Sequence, residues 1–266
     1  MGITDRQMPS NTDLFHEDEG TGKALVFVPG LGATHEMFKP QVDAFRGSHR
    51  LILPDLRGNG RSARLVGPIG TILDRQCDDM AALLDHLGII RVVTIGVSYG
   101  GTVALHFALR HPDRLAGLVI VDSFAELRIT QPMEALLLAG SYLTLWTYYL
   151  PRPLLNSMAR LFYRRWPTAL AAIPALVEGF RPTEAVLQSL AMCRVDAVRH
   201  LGRVQCHALG VVCDATKTGV RLMQRAMSSI PNSRLEVVRD SFDPTNLCQP
   251  GEFNRLLAGF LSEIGW

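Results

Sequence analysis

The chain has 266 residues, of which 47% are apolar and 20% charged, with a formal net charge of +2. This length fits one large domain, and the small net charge excludes the strong basic excess that is typical of nucleic-acid-binding proteins. The five cysteines are widely and irregularly spaced, so we expect neither a disulfide framework nor a metal site. Residues 1–20 lack the basic and apolar regions of a secretory signal, and we therefore expect a cytoplasmic protein.

Short apolar strands alternate with helical patterns from residue 24 to about 122. Strands are predicted at 24–29, at the start of 50–62, at 92–97 and at 115–122, and a helix is predicted at 99–111. This order predicts a parallel sheet with crossover helices.

Residues 124–203 interrupt the alternation with proline-punctuated helical segments. The alternation returns with strands at about 207–213 and 234–238, a helix between them and a final helix after Pro250. We therefore predict one α/β core domain, made of residues 1–123 and 204–266, with a helical insertion at 124–203.

The longest uncharged run, ALLLAGSYLTLWTYYL, covers residues 135–150. Its 16 residues fall short of the roughly 18–20 that span a bilayer, so no transmembrane segment is predicted. A buried helix is the expected structure, and membrane association is the alternative.

Ser98 lies in the stretch TIGVSYGGT, directly after the predicted strand 92–97 and between Gly96 and Gly100. A tight strand-to-helix turn at this position holds a serine in a strained conformation, and the flanking glycines leave room for the turn. The pattern therefore predicts a nucleophile exposed at the carboxyl edge of the sheet. The alternative is a serine that merely caps the following helix.

Attack on a carbonyl group also requires donors for the oxyanion that develops, and fixed backbone N–H groups suit this role. Tyr99 follows the serine, and Leu31 lies among glycines in the loop PGLGATHEMF, residues 29–38. We predict these two N–H groups as the oxyanion donors, although the loop also fits an ordinary turn at the end of a strand.

These motifs resemble the α/β-hydrolase superfamily, in particular its compact members with a helical cap. The resemblance rests on segments that follow one another in the expected order along nearly the whole chain: VPGLG at 28–32, DLRGNGRS at 55–62, GVSYGG at 96–101, RHPDRLAGLVIVD at 110–122, IPNSRLEVV at 230–238 and NLCQPGEF at 246–253. It implies Ser98 as the nucleophile, Leu31 and Tyr99 as the oxyanion donors, and a cap at 124–203 over the pocket.

The chain departs from the family at the other two positions of the catalytic triad. Asp243 occupies the position that the resemblance assigns to the histidine, and no histidine follows His207. Asp214 is the one carboxylate in the loop where the family's acid is expected, although the alignment puts the acid at Ala215, and Asp214 also fits a helix N-cap. His35, which follows the glycines around Leu31, is the one histidine that we expect near the pocket, as a substrate contact or an alternative base, and a solvent-facing or helix-start histidine is the other interpretation.

An aspartate with an ordinary pKa of about 3.9 is a poor base for a serine at neutral pH. Burial and a second carboxylate both raise an aspartate's pKa, and we predict that Asp214 is this neighbour, so that Asp243 and Asp214 share a proton. The alternative is that both are solvated loop residues.

We therefore expect an enzyme that acts on a hydrophobic, carbonyl-containing small molecule by cyclisation, isomerisation or elimination, with oxyanion stabilisation and without a Ser-His-Asp relay. Trp146, in the apolar segment of the insertion, is a candidate substrate contact. The alternatives are an ester, lactone or thioester hydrolase with a rearranged base, and a ligand-binding homologue without catalysis. No cofactor, metal ion or nucleic-acid partner is indicated, and the sequence does not indicate an oligomeric state.

Overall fold

A computed structural model describes residues 14–127 and 132–266. Residues 1–13, which make up most of the segment in which no secretory signal is predicted, lie outside the described residues. The described chain forms a seven-stranded sheet in the order β1-β3-β2-β4-β5-β6-β7. The strands are β1 His16–Glu19, β2 Ala24–Val28, β3 Arg50–Pro54, β4 Val92–Val97, β5 Leu115–Val121, β6 His207–Cys213 and β7 Ser233–Val238.

All neighbouring strands are parallel except β1, which pairs antiparallel with β3 at one edge of the sheet. The mostly parallel sheet confirms the prediction from the sequence. β1 was not predicted, because its sequence HEDE is charged and carries no apolar pattern. Such a strand suits a sheet edge, where charged side chains remain in water.

Helices cover both faces of the sheet, as predicted for this fold class. One buried core packs α2 Ile72–His86, α3 Tyr99–Arg110 and α8 Lys217–Ser228 against one face. The other core packs α1 Lys39–Phe45 and α10 Pro250–Glu263 against the opposite face, with the short α9 Thr245–Cys248 beside them. The fully buried β2 and β4 therefore lie between two layers of helices.

In the described part of the chain, four α-helices follow β5 and precede β6: α4 Pro132–Leu143, α5 Arg152–Phe162, α6 Pro167–Glu178 and α7 Pro182–Met192. Residues 132–203, called the cap segment below, contribute no strand to the sheet. The division into a core domain of 1–123 and 204–266 and a cap of 124–203 stays a prediction, and residues 128–131 lie outside the described part of the chain.

The uncharged run at 135–150 is not the buried helix that the sequence predicted. It divides into the end of α4 and a 3-10 helix at Leu145–Tyr149, and Leu136, Leu143 and Trp146 are each more than 60% exposed. The run carries no charged side chain on any face, whereas a helix at the surface of a protein buries only one of its faces. Within 14–127 and 132–266, no helix combines the length and the apolar character needed to cross a membrane.

Candidate active site

Ser98 stands at the sharp turn between β4 and α3, with φ 53° and ψ −118°. A non-glycine residue adopts positive φ at an energetic cost, which the packing around the turn must offset. The flanking glycines permit that packing: a Cβ atom on Gly100 would lie 2.2 Å from the carbonyl oxygen of Val28, and one on Gly96 would lie 2.2 Å from that of Gly100. The strand, the turn and the helix can approach this closely only with glycine at both positions.

The sheet topology brings the loop after β2 beside this turn. The chain passes to β3 on one side of β2 and to β4 on the other, and crevices at such switch points are the usual ligand sites of open α/β sheets. A Cβ atom on Gly30 would lie 3.6 Å from Ser98 Cβ. The two motifs found in the sequence therefore meet at the carboxyl edge of the sheet.

The backbone N–H groups of Leu31 and Tyr99 have no hydrogen-bond acceptor within the described chain. Tyr99 begins α3, and its phenol donates to Gln76 Oε1 at 2.7 Å, so only its backbone is available to the site. The loop that carries Leu31 is held by the cap segment, because Gly32 N–H donates to Gln188 Oε1 of α7 at 3.3 Å. This arrangement suits oxyanion binding, the role predicted for both residues.

Asp243 lies directly beside Ser98, and the serine hydroxyl donates to Asp243 Oδ2 at 2.9 Å. The backbone of Asp243 is held in turn by the hydroxyl of Tyr163, which donates to the Asp243 carbonyl oxygen at 2.6 Å. Burial, and secondly the negative charge of Asp122, raise the pKa of the Asp243 carboxyl group to about 8, against a smaller lowering by the Ser98 hydrogen bond. The carboxyl group is therefore mostly protonated at neutral pH.

Asp122 is the second carboxylate of the site, and the sequence analysis missed it. It directly follows β5, adopts φ 47°, and accepts backbone N–H bonds from Cys213 at 2.7 Å and from Thr245 at 2.6 Å. Burial raises the pKa of Asp122, but these two donors favour its charged form. Asp122 is therefore the ionised member of the pair and Asp243 the protonated one. The sequence did contain a signal for Asp122, because this carboxylate stands at the carboxyl end of the strand that follows β4 along the chain.

The structure corrects the prediction that Asp214 pairs with Asp243. Asp214 is exposed, and its carboxylate accepts a hydrogen bond from the backbone N–H of Ser241 at 3.3 Å. It lies one residue beyond the end of β6, where its side chain faces water and does not line the cavity at Ser98. The neighbour that raises the pKa of Asp243 is Asp122.

His35, the alternative base, is buried against carboxylates and does not line the cavity at Ser98. Its Nδ1 lies 2.7 Å from Asp55 Oδ1, its backbone N–H donates to the same oxygen at 2.9 Å, and its Nε2 lies 3.4 Å from Glu17 Oε1. Burial lowers the pKa of His35, but the bonds to Asp55 and Glu17 outweigh it and raise the pKa to about 10. A protonated imidazole cannot accept the serine proton, so His35 anchors the loop instead.

A cavity of about 430 Å³ opens beside Ser98 and Asp243. Its walls come mainly from apolar side chains of the oxyanion loop and of the cap segment: Leu31, Ala33, Met37, Tyr148, Leu155, Ala159, Tyr163, Leu176, Val177 and Phe180. Trp146, a predicted substrate contact, is 64% exposed and lies outside this lining. In a 3-10 helix with three residues per turn, residues 146 and 148 point in different directions, and Tyr148 is the one that reaches the cavity.

The two cysteines near the carboxyl pair do not supply a nucleophile. Burial, and then Asp122, raise the pKa of the Cys213 thiol well above its ordinary value, and burial raises the pKa of Cys248 to about 12. Both are neutral thiols at neutral pH, and the thiolate is the reactive form. Among residues 14–127 and 132–266, no cluster of histidine, cysteine, aspartate and glutamate is suited to hold a metal ion.

Known proteins resemble this chain along most of its length. It is 26% identical over 266 residues to a protein of Azorhizobium caulinodans named "Putative carbamate hydrolase RutD", a match that covers 96% of this chain and 97% of the relative. An esterase structure from Thermogutta terrifontis superposes with a TM-score of 0.74 at 26% identity and covers 94% of this chain and 93% of its own. A hydrolase structure from Pseudomonas aeruginosa has a TM-score of 0.80 at 21% identity, covers 98% and 99% of the two chains, and shows the shared fold.

The family model described as alpha/beta hydrolase fold matches residues 23–164. This range includes the oxyanion loop, Ser98 and Asp122, and it covers more than half of the chain. The chain therefore belongs to the α/β-hydrolase-fold family of enzymes.

Proposed function

We propose that this enzyme moves a proton on a hydrophobic, carbonyl-containing small molecule, through an enol or enolate, and so catalyses an isomerisation, a cyclisation or an elimination rather than a hydrolysis. The observation that carries the proposal is the pairing of the Ser98 hydroxyl with Asp243, whose pKa is about 8. General acid–base catalysis is most efficient when the pKa of the group lies near the working pH, and Asp243 meets this condition.

The walls of the cavity support the choice of substrate. A volume of about 430 Å³ accommodates a small organic molecule, and most of the lining side chains are apolar. No lysine or arginine is among the lining residues of the described chain, so an anionic substrate would have no counter-ion there. A neutral molecule with a carbonyl group fits this environment best.

In the proposed reaction, the N–H groups of Leu31 and Tyr99 bind the substrate's carbonyl oxygen and stabilise the negative charge that develops on it. The ionised form of Asp243 takes a proton from the carbon next to the carbonyl group and becomes neutral. Asp243 then returns the proton to another carbon in an isomerisation, or to the leaving group in an elimination. In a cyclisation, the enolate carbon attacks a second carbonyl group, and the proton goes to the new alkoxide.

Ser98 acts in this scheme as a hydrogen-bond donor that orients Asp243 or the substrate. Asp243 is about one-tenth ionised at pH 7, and this fraction can act as a base on a carbon acid or on Ser98 alike. Hydrolysis through Ser98 additionally relies on the imidazole of the triad, and no histidine lines the cavity at Ser98 in the described chain. Loss of the triad base costs a serine hydrolase on the order of a million-fold in rate. Ordinary ester hydrolysis is therefore expected to be slow.

A hydrolase that uses Ser98 as its nucleophile and Asp243 as its base is the second candidate. The direction of the hydrogen bond favours it, because the Ser98 hydroxyl already donates towards Asp243. The name of the relative from Azorhizobium caulinodans suggests a carbamate as one substrate class to be tested. In this case a covalent acyl-serine intermediate must form.

Two assays distinguish these candidates. Deuterium uptake from D₂O next to the carbonyl group of hydrophobic ketones such as phenylacetone, followed by NMR, reports proton transfer. Reaction with a fluorophosphonate probe reports an activated Ser98. We expect the wild type to catalyse deuterium uptake and Asp243→Asn to lower the rate of uptake by a factor of about 10² to 10⁴. Ser98→Ala should retain most of this rate, and the probe should label Ser98 slowly.

Rapid labelling of Ser98 would contradict the proposal if the enzyme also turned over an ester or a carbamate and Ser98→Ala abolished that turnover. The enzyme would then be a hydrolase. Binding of the ketones without deuterium uptake or turnover would instead indicate a ligand-binding homologue.

A further inference from the structure

The cap segment exposes apolar side chains to an extent that the rest of the described chain does not. Among the side chains that the structure describes, thirteen large hydrophobic ones are strongly exposed, and ten of these lie between residues 132 and 162. They include Leu143 at 73%, Trp146 at 64% and Tyr149 at 59% exposure. Contiguous apolar surfaces of this kind usually mark a site of interaction with a protein or a membrane.

Helix α5 carries apolar side chains on two different faces. Leu155 and Ala159, four residues apart, line the cavity beside Ser98. A second set of residues, spaced four and three positions apart, lies on another face of the helix. It consists of Leu154, Met158 and Leu161, which are 46%, 50% and 68% exposed. Packing within the chain explains the first face and leaves the second without a partner among the described residues.

The part of the chain that includes α5 carries charge of one sign. Residues 135–177 contain four arginines and no aspartate, glutamate or lysine. Arg165 pairs with Asp240, whereas Arg152, Arg160 and Arg164 are exposed and have no carboxylate partner within the described chain. Three cations without a carboxylate partner therefore lie on α5 or directly after it, in the same part of the chain as the exposed apolar residues.

We propose that the outer face of α5, with the neighbouring turn at Leu145–Tyr149, docks on the surface of an anionic lipid bilayer. Apolar side chains that enter the interface, together with arginines that meet anionic headgroups, are the combination by which a helix binds in the plane of a membrane. Trp146 and Tyr149 are residue types that favour this interface. A second copy of the chain would bring the same three cations together, and this repulsion disfavours self-association through this face.

The docking is independent of the reaction proposed above, and its test requires no substrate. The full chain is sedimented with vesicles of phosphatidylcholine alone and with vesicles that also contain phosphatidylglycerol. We expect at least tenfold stronger binding to the anionic vesicles, a loss of that preference in high salt, and quenching of Trp146 fluorescence by brominated lipids, absent in Trp146→Phe.

Two double variants separate the apolar and the charged contributions. Leu154→Ser with Leu161→Ser should abolish binding to both kinds of vesicle, and Arg160→Gln with Arg164→Gln should abolish the preference for the anionic ones. The matched controls are Ile90→Ser, which removes an exposed apolar residue elsewhere, and Lys217→Gln, which removes an exposed cation elsewhere. Because all these side chains are exposed, the variants should keep the circular dichroism and thermal unfolding of the wild type.

Three results would overturn the proposal. The chain could bind neither kind of vesicle, or it could bind both equally. The control substitutions could also reduce binding as much as the α5 variants do. A dimer in analytical ultracentrifugation that Leu154→Ser with Leu161→Ser dissociates, without any vesicle binding, would assign the face to self-association.

Discussion

The Ser98 hydroxyl donates a hydrogen bond to Asp243 Oδ2 over 2.9 Å, while Asp122 holds a negative charge next to the same carboxyl group. This places a neutral carboxyl group where the resemblance to the α/β-hydrolase superfamily leads one to expect an imidazole. An imidazole accepts the serine proton near neutral pH, whereas Asp243 holds a proton of its own there. An aspartate at this position changes which proton transfers are available at the site, although the glycine-bounded turn at Ser98 and the loop around Leu31 are present.

Asp243→Asn should stabilise the protein above about pH 4. The folded-state pKa of Asp243, about 8, exceeds the unfolded value of about 3.9, so the folded protein binds the proton more tightly. The group's contribution to stability is therefore complete at low pH and is lost as the pH rises towards 8. An uncharged amide avoids this loss, and we expect a gain of a few kcal/mol at pH 8.

Chemical unfolding of both proteins between pH 5 and pH 9 measures this gain. The exposed Asp214→Asn is the control and should show no such pH-dependent gain. The difference in the free energy of unfolding between Asp243→Asn and the wild type could instead stay constant from pH 5 to pH 9. This result would show that Asp243 has an ordinary pKa.

Asp122→Asn should lower the pKa of Asp243. The charge of Asp122 is the second cause of the raised value, after burial, so its removal leaves an upward shift that is smaller. Carbon-13 NMR titration of the aspartate carboxyl groups, with assignment from Asp243→Asn, measures the change directly. Asp214→Asn is the matched control; if it lowered the pKa as much as Asp122→Asn, the pairing inferred from the sequence would be restored.

The turn at Ser98 and the loop around Leu31 could be predicted from the sequence because glycines mark them. Close backbone contacts require Gly96 and Gly100, a φ of 66° favours glycine at position 32, and their order relative to the strands fixes their place at the carboxyl edge of the sheet. The position of Asp243 was also predicted correctly, because the segment QPGEF follows it at a fixed distance and begins α10.

The partner of Asp243 could not be predicted in the same way. Asp122 approaches it only because β5 lies between β4 and β6 in the sheet, and contacts across strands are not visible in the spacing along the chain. His35 was misinterpreted for a similar reason, since its carboxylate partners lie in β1, which has no apolar pattern, and directly after β3. The exposed positions of Trp146 and its neighbours depend on how the cap segment packs, and composition alone suggested burial.

His35→Gln should destabilise the protein without changing proton transfer by Asp243. The folded-state pKa of His35 is raised to about 10, above the unfolded value of about 6.5. Its ion-pair stabilisation is therefore present below about pH 6.5 and is lost as the pH rises through 10. We expect a loss on the order of 3 kcal/mol at pH 6, measured by chemical unfolding, which becomes smaller above pH 9.

The deuterium-uptake assay on His35→Gln tests the other half of this prediction. A loss of activity as large as that of Asp243→Asn, in a folded protein, would make His35 the proton-transfer group.

Gly100→Ala should disrupt the turn that presents Ser98. The added methyl group would lie 2.2 Å from the carbonyl oxygen of Val28, so either β2 or α3 has to move. We expect a destabilisation of about 1–3 kcal/mol or more, measured by thermal unfolding. Gly259→Ala in α10 is the matched control: its methyl group meets no atom within 4 Å, and alanine favours the helix, so this variant should be neutral or stabilised.

The protonation state of Asp243 is the central claim, and infrared spectroscopy measures it without a substrate. The difference spectrum between the wild type and Asp243→Asn at pH 7 should contain the carbonyl-stretching band of a protonated carboxyl group. That band should disappear as the pH rises, with a midpoint near pH 8. A difference spectrum that shows only an ionised carboxylate from pH 6 upwards would contradict the claim, and Asp243 would then be an ordinary acid beside an unactivated serine.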